Sequence, residues 1–280
     1  MLTMIHDLRF ALRQLRKNPA MAALAVITLA LGVGANTGIF TVIESVLLRP
    51  LPYANPGRLV FIGNAADRPV FSTTSWLNYV DIKAQSTLLQ NVAGYSEDVS
   101  VLQTHDSSQS VAAPHVTPNL FSMLGAKPLA GRTFTEAEGQ AGGPLVALLS
   151  EGLWRQTFHS DYGVVGQSVK ISGKAYTIIG VMPQSFRFPE EVGPDLQKGL
   201  WMPLQPTPEM LKDRGYNLFN VMGELKMSVS IAQAQHELDA IAAHIPGKKD
   251  EGPVKLQVSS YHELLTGPVR PVLIALFGAL

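Results

Sequence analysis

PAMAALAVITLALGVGANTGIFTVI, Pro19 to Ile43, is the stretch that most restricts what this chain can fold into. It runs 25 residues without an Asp, Glu, Lys or Arg, and a hydrocarbon core about 30 Å thick is crossed by about 20 residues of helix. The apolar character persists to Leu48. Arg49-Pro50-Leu51-Pro52 then stops the helix, because proline lacks an amide hydrogen and its ring clashes with the preceding turn. Gly32, Gly34 and Gly38 inside the run raise two other readings. A dinucleotide-binding loop needs a strand before its glycines and an acidic residue about 20 positions later. The spacing here is G-x-G-x-x-x-G, and no Gly-Lys-Ser/Thr follows. Val33-Gly34-Ala35 resembles a signal-peptidase site, but the apolar run carries on past it to Ile43. A membrane helix explains the glycines directly. Gly34 and Gly38 share one helical face where a second helix can approach closely, and Asn36 and Thr37 can hydrogen-bond across the contact.

The flanks set an orientation. In residues 1–18, Ile5, Leu8, Leu12 and Leu15 recur at helical spacing while Arg9, Arg13, Arg16 and Lys17 fill the other side. This predicts a basic amphipathic helix suited to an anionic membrane surface. Four basic residues before the span outweigh Arg49 and Arg58 after it, which places the N-terminus in the cytoplasm. The expected organisation is a cytoplasmic helix at 1–18, transmembrane helix 1 at 19–48, an outer domain at 49–267, and at 268–280 the incomplete start of transmembrane helix 2.

Segment 49–267 carries the signals of an α+β domain of mixed hairpins and helices. Ser75–Ser86 reads as a helix with Trp76, Tyr79 and Val80 inward. Leu145–Leu149 is a buried strand, followed by a helix holding Leu153, Trp154 and Phe158. Ser168–Ile171 and Ala175–Met182 alternate like strands around Ser172-Gly173-Lys174, a three-residue hairpin loop. Ser230-Ile231-Ala232-Gln233 is a capping box opening a helix with Ile231, Leu238, Ile241 and Ile245 on one side. The formal charge is zero, so no electrostatic footprint for nucleic acid exists. The absence of cysteine excludes disulfides and thiolate metal sites. No histidine pair has metal-ligand spacing, His236 and His244 fall on the polar flank of one helix, and no serine sits in a Gly-x-Ser-x-Gly elbow. Glu136 with Glu138 and Glu190 with Glu191 lie in loop-like surroundings and read as turn residues. Neither a cofactor nor a catalytic centre is expected.

Several stretches, in order, resemble one family. ALGVGANTGIFTVIESVLLRPLPY (Ala30–Tyr53) is similar to the first membrane helix of MacB-like and FtsX-like ABC transporter permeases. TPNLFSMLGAKPLAGRTFTEAE (Thr117–Glu138), LSEGLWRQTF, GQSVKISGKAYTIIGVMP and LWMPL (Leu200–Leu204) resemble the core of their periplasmic domain. SIAQAQHELDAIAAHI and GPVRPVLIALFGAL resemble the helix returning towards the membrane and the opening of the second span. The resemblance implies a permease in the cell inner membrane with a periplasmic main domain. It also implies a homodimer, or a heterodimer with another permease subunit, served by a cytoplasmic ABC ATPase. That ATPase would move the outer domain mechanically for export, lipid or lipoprotein extraction, or signalling. The site residues singled out are the packing glycines Gly34 and Gly38, from their spacing, and, for a permease that transmits motion, a stiff helix–domain joint at Arg49, Pro50, Leu51 and Pro52, from its two prolines. One departure stands out. Leu225-Lys226-Met227-Ser228 occupies the place of Leu-Lys-Pro-Gly, which puts the expected tight turn in doubt. The rival reading is a membrane-anchored extracytoplasmic binding or scaffold protein that needs no ATPase.

Overall fold

The computed structural model describes residues 17, 19–43, 51–65, 71–104, 107–188, 198–246, 253–267, 270, 271 and 275. Two compact units divide the chain: Met1–Pro50 with Leu265–Leu280, and Leu51–Leu264. In the first, Pro19–Ile43 forms one helix, α1. Its 25 residues extend about 37 Å at 1.5 Å per residue. Counted over the described residues alone, no helix is long and apolar enough to cross a membrane. The backbone of α1 is nonetheless unbroken over its uncharged sequence. Thr28, Thr37 and Thr41 donate their hydroxyls to carbonyls one turn back, at 2.8–2.9 Å. Thr37 donates to Val33 O within its own helix. The amphipathic segment before Lys17, Arg49, Pro50, the Glu190–Glu191 pair and most of 268–280 lie outside the described residues.

Leu51–Leu264 is an α+β unit whose elements begin with β1 (Leu59–Asn64), β2 (Thr74–Ser75), α2 (Trp76–Gln85) and β3 (Leu89–Ser96). Then come β4 (Val99–Gln103), β5 (Ser108–Ala112), β6 (His115–Val116), α3 (Leu120–Met123), β7 (Ala130–Gly131) and β8 (Val146–Ser150). The chain continues with α4 (Glu151–Phe158), β9 (Ser168–Ile171), β10 (Lys174–Met182) and β11 (Leu200–Pro203). It finishes with β12 (Asn217–Leu225), α5 (Ile231–His244), β13 (Leu256–Ser260) and α6 (Tyr261–Thr266), the last two residues of α6 belonging to the first unit. Hydrogen bonding orders the strands β13-β1-β12-β3-β6-β11-β8-β10-β9-β4-β5, with β2 attached to β12 and β7 to β10.

Two cores organise this sheet. In the first lobe, α2 and α5 cover β1, β3, β12 and β13, burying Tyr79, Ile82, Phe219, Val221, Leu238 and Ile241 among others. Each such side chain contributes roughly 1.5–3 kcal/mol of transfer free energy. Val80 is not inward as expected but 40% exposed. Tyr79 and Ile82 are three residues apart and share a face, whereas Val80 is turned by a full helical step of about 100° from Tyr79. In the second lobe, formed by the chain between β3 and β12, α4 covers β8 and β10 with Leu153 and Trp154. The strand β11 joins the lobes, running parallel to β6 and antiparallel to β8. Its Trp201 packs against Phe121, Phe186 and Phe188, which is where the Thr117–Glu138 and Leu200–Leu204 motifs meet.

Local chemistry accounts for the ends of these elements. Ser75, Ser150 and Ser230 cap α2, α4 and α5 through their hydroxyls, and the Ser230–Gln233 box is complete. The β9–β10 hairpin is tighter than the sequence suggested: Ile171 pairs with Lys174, so the loop is Ser172-Gly173 alone. Both residues have positive φ, 46° and 81°, the two-residue turn whose twist matches that of the flanking strands.

Candidate functional site

The register of β1 fixes one end of the outer domain. Leu59 opposes Glu224 on β12, and Val60 opposes Ser260 on β13. The segment entering at Leu51, the turn after β12 and the start of α6 therefore lie together. At this end Glu224, only 2% exposed, interrupts an otherwise apolar stretch of β12. Its Oε1 accepts hydrogen bonds from Arg58 Nη2 at 2.6 Å and Asn55 Nδ2 at 2.8 Å. Its Oε2 accepts from Asn91 Nδ2 at 2.7 Å. Arg58 also donates to Leu225 O and Gln90 Oε1. A buried carboxylate is tolerated only when its lone pairs are occupied, and here the donors come from the entering segment and from β3. The entering segment is thus fastened across the sheet.

Further contacts hold the same end. Tyr53 sits 6.2 Å from the ring of Tyr261, and Ala54 N donates to Leu124 O. Gly125, at φ 72°, makes that approach possible, since a Cβ there would fall 2.6 Å from Ala54 Cβ. Glu237 of α5 accepts from Ser86 Oγ at 2.5 Å, Thr87 N at 2.7 Å, Thr87 Oγ1 at 2.6 Å and Leu88 N at 3.2 Å. Burial would push its carboxyl up, but the bonds from Ser86, Thr87 and Leu88 outweigh burial and hold it below its ordinary value.

Of the residues the sequence singled out, Leu51 is half-buried and Pro52 exposed in this end of the domain, while Arg49 and Pro50 lie outside the described residues. Gly34 and Gly38 are exposed on α1, and a Cβ built on either meets nothing within 4 Å. His236 and His244 are exposed on α5, as expected. Glu138, expected to be a loop residue, is 4% exposed. It pairs with both guanidinium nitrogens of Arg132, at 2.7 and 3.0 Å, and accepts from Thr135 N. Sequence reasoning missed Glu224 and its donors; the lone acid inside the apolar stretch NLFNVMGEL was the signal available.

At the opposite end of β12, a cleft of about 690 Å³ lies between the two connections that join the lobes. Glu97, Asp98 and His115 line one side, with Met210, Leu218 and Phe219 among its apolar residues. Burial pushes the Glu97 carboxyl up. Burial also pushes the His115 imidazole down, opposed by Asp98 at 3.7 Å. Among the described residues no group of three His, Cys, Asp or Glu side chains is placed to hold a metal ion.

The outer unit is a two-lobed α+β domain whose first and last segments meet at one end. Residues 22–241 match the MacB-like periplasmic core domain, and the chain belongs to that family of ABC transporter permeases. The fold is similar to the periplasmic region of MacB from Actinobacillus actinomycetemcomitans, with 15% identity, a TM-score of 0.55, and coverage of 78% of this chain and 94% of that one. It is also similar to a domain described as part of a permease from Porphyromonas gingivalis, with 17% identity, a TM-score of 0.55, and coverage of 74% and 90%. No curated protein matches the sequence.

Proposed function

We propose that the chain is the N-terminal part of an ABC-type permease subunit. A partner ATPase in the cytoplasm moves α1, and the motion passes through the joint at Arg49–Pro52 into the periplasmic domain. The output is export, extraction of a lipid or lipoprotein, or signalling. The permease works as a homodimer or with a second permease subunit, and α1 crosses the inner membrane with residues 1–18 inside. The observation that carries this reading is the fastening of the entry segment by Glu224, Arg58, Asn55 and Asn91. A domain that merely hangs from an anchor needs no buried carboxylate tying its first residues to the sheet, whereas a domain that must follow a helix does.

The topology is directly testable because the chain has no cysteine. With Gln14→Cys and Gln140→Cys introduced singly, an impermeant thiol reagent added to intact spheroplasts is expected to label position 140 and spare position 14. Labelling of 14 alone would reverse the orientation and remove the ATPase from its proposed side.

A further inference from the structure

The turn after β12 carries a chemical oddity at the end of the domain where the chain enters and leaves. Val229 N donates to Lys226 O at 3.2 Å, and Ser228 has φ 65°, so the tight turn doubted from the sequence does form. A positive φ at the third turn position alone is the type II pattern, which favours proline second and glycine third. This chain places Met227 and Ser228 there instead. Ser228 occupies a left-handed conformation that side chains disfavour. Met227 is 81% exposed, more than any other large apolar side chain described. Single exposed apolar residues are common, but this one crowns a tight hydrogen-bonded turn and is preceded by exposed Lys226.

Its position says what covers it. Leu225 O accepts from Arg58, and Lys226 N donates to Leu88 O. The turn therefore stands beside the segment that enters at Leu51. Only residues 44–50 separate that point from the end of α1, a reach of at most about 29 Å even when fully extended.

We propose that the Lys226–Val229 turn is a membrane-surface contact. Met227 inserts among the lipid headgroups and Lys226 lies alongside towards their phosphates, the division of labour that interfacial apolar and basic side chains adopt. This inference rests on the reading of α1 as a span. It gives the outer domain a second foothold on the bilayer besides the chain itself, so that a shift of α1 tilts the domain about this point rather than simply lifting it.

The test uses the full chain reconstituted in anionic phospholipid nanodiscs, with single nitroxide-labelled cysteines at Met227, at Tyr162 (exposed in the second lobe) and at Val33 in α1. Collision with oxygen, which concentrates in lipid, is compared with collision with a water-soluble nickel chelate. The oxygen-to-nickel ratio at 227 is expected to exceed that at 162 by several-fold and to fall below that at 33. If 33 reports lipid while 227 matches 162, the membrane contact is wrong and the span stands. If 33 also matches 162, the span fails and the contact fails with it. Shielding of 227 from both reagents would mean that protein, such as a second copy of the chain, covers Met227, and this too overturns the proposal.

Discussion

Glu237 and Glu138 are carboxylates that the fold uses as fasteners, and their protonation gives a pH signature. Burial raises the carboxyl pKa of each, but hydrogen bonds more than offset it, so both folded-state values lie below the ordinary 4.5. A carboxyl whose folded pKa is depressed adds stability that is complete above its unfolded value and disappears as pH falls through the folded one. Glu237→Gln should therefore destabilise the outer domain by about 1–2 kcal/mol at neutral pH, where charge-assisted bonds to Ser86, Thr87 and Leu88 are weakened. The deficit should shrink well below pH 4.5. All three tryptophans, Trp76, Trp154 and Trp201, lie in that domain, so urea unfolding followed by their fluorescence reads the effect. An equal deficit at neutral and acid pH would show that the carboxylate charge is not what holds the contact. None of this was visible in the sequence. Glu237 lies 149 to 151 positions from its partners, and no local pattern links them. Glu138 is only six residues from Arg132; the Thr-x-x-Glu spacing of its capping box with Thr135 is local, but nothing in that spacing shows that Arg132 faces the same carboxylate.

The secondary-structure elements were far more legible than the side-chain contacts between them. The Ser230 capping box, the helix read at Ser75–Ser86, the buried strand read at Leu145–Leu149 and the helix after it all appear, within a residue at their ends, because they follow from local chemistry and apolar spacing. The errors are one helix face, where Val80 points outward, and two turns. Strand pairing carried the β9–β10 ladder one residue further than alternation suggested, leaving Ser172-Gly173 as the loop. The Lys226–Val229 turn closed without its expected glycine because β12 and α5 on either side dictate the path. Ser228→Gly relieves that left-handed strain, and a gain of about 0.5–1 kcal/mol is expected in the same urea measurement. No gain would mean that the serine side chain offsets its own backbone cost. In α1, Gly34→Leu or Gly38→Leu is expected to weaken helix association in a bilayer by of order 1 kcal/mol, and Val33→Leu by less. Energy transfer between labelled copies in vesicles measures it; equal losses at all three positions would leave the glycines without a packing role.

At the scale of the whole molecule, the transmission proposed above runs through the joint between helix and domain. Pro50 and Pro52 each fix their own φ and restrict the residue before them, and Tyr53, Ala54, Asn55 and Arg58 continue the fastening into the sheet. Replacing both prolines with glycine should leave tryptophan-monitored unfolding nearly unchanged while lowering transport per ATP in vesicles that hold the complete permease and its ATPase. Unchanged coupling would reduce these prolines to helix stops. The apolar helix, the α+β character and the family motifs were determined by the sequence itself, because charge absence, periodicity and capping act within a few residues of one another. Tertiary structure alone decided that β11 stitches two lobes together, that Glu224 ties Asn55, Arg58 and Asn91 to one point, and that a cleft opens where the lobes connect. Those features join residues far apart in the chain, and their geometry exists only once strand pairing has brought the segments together.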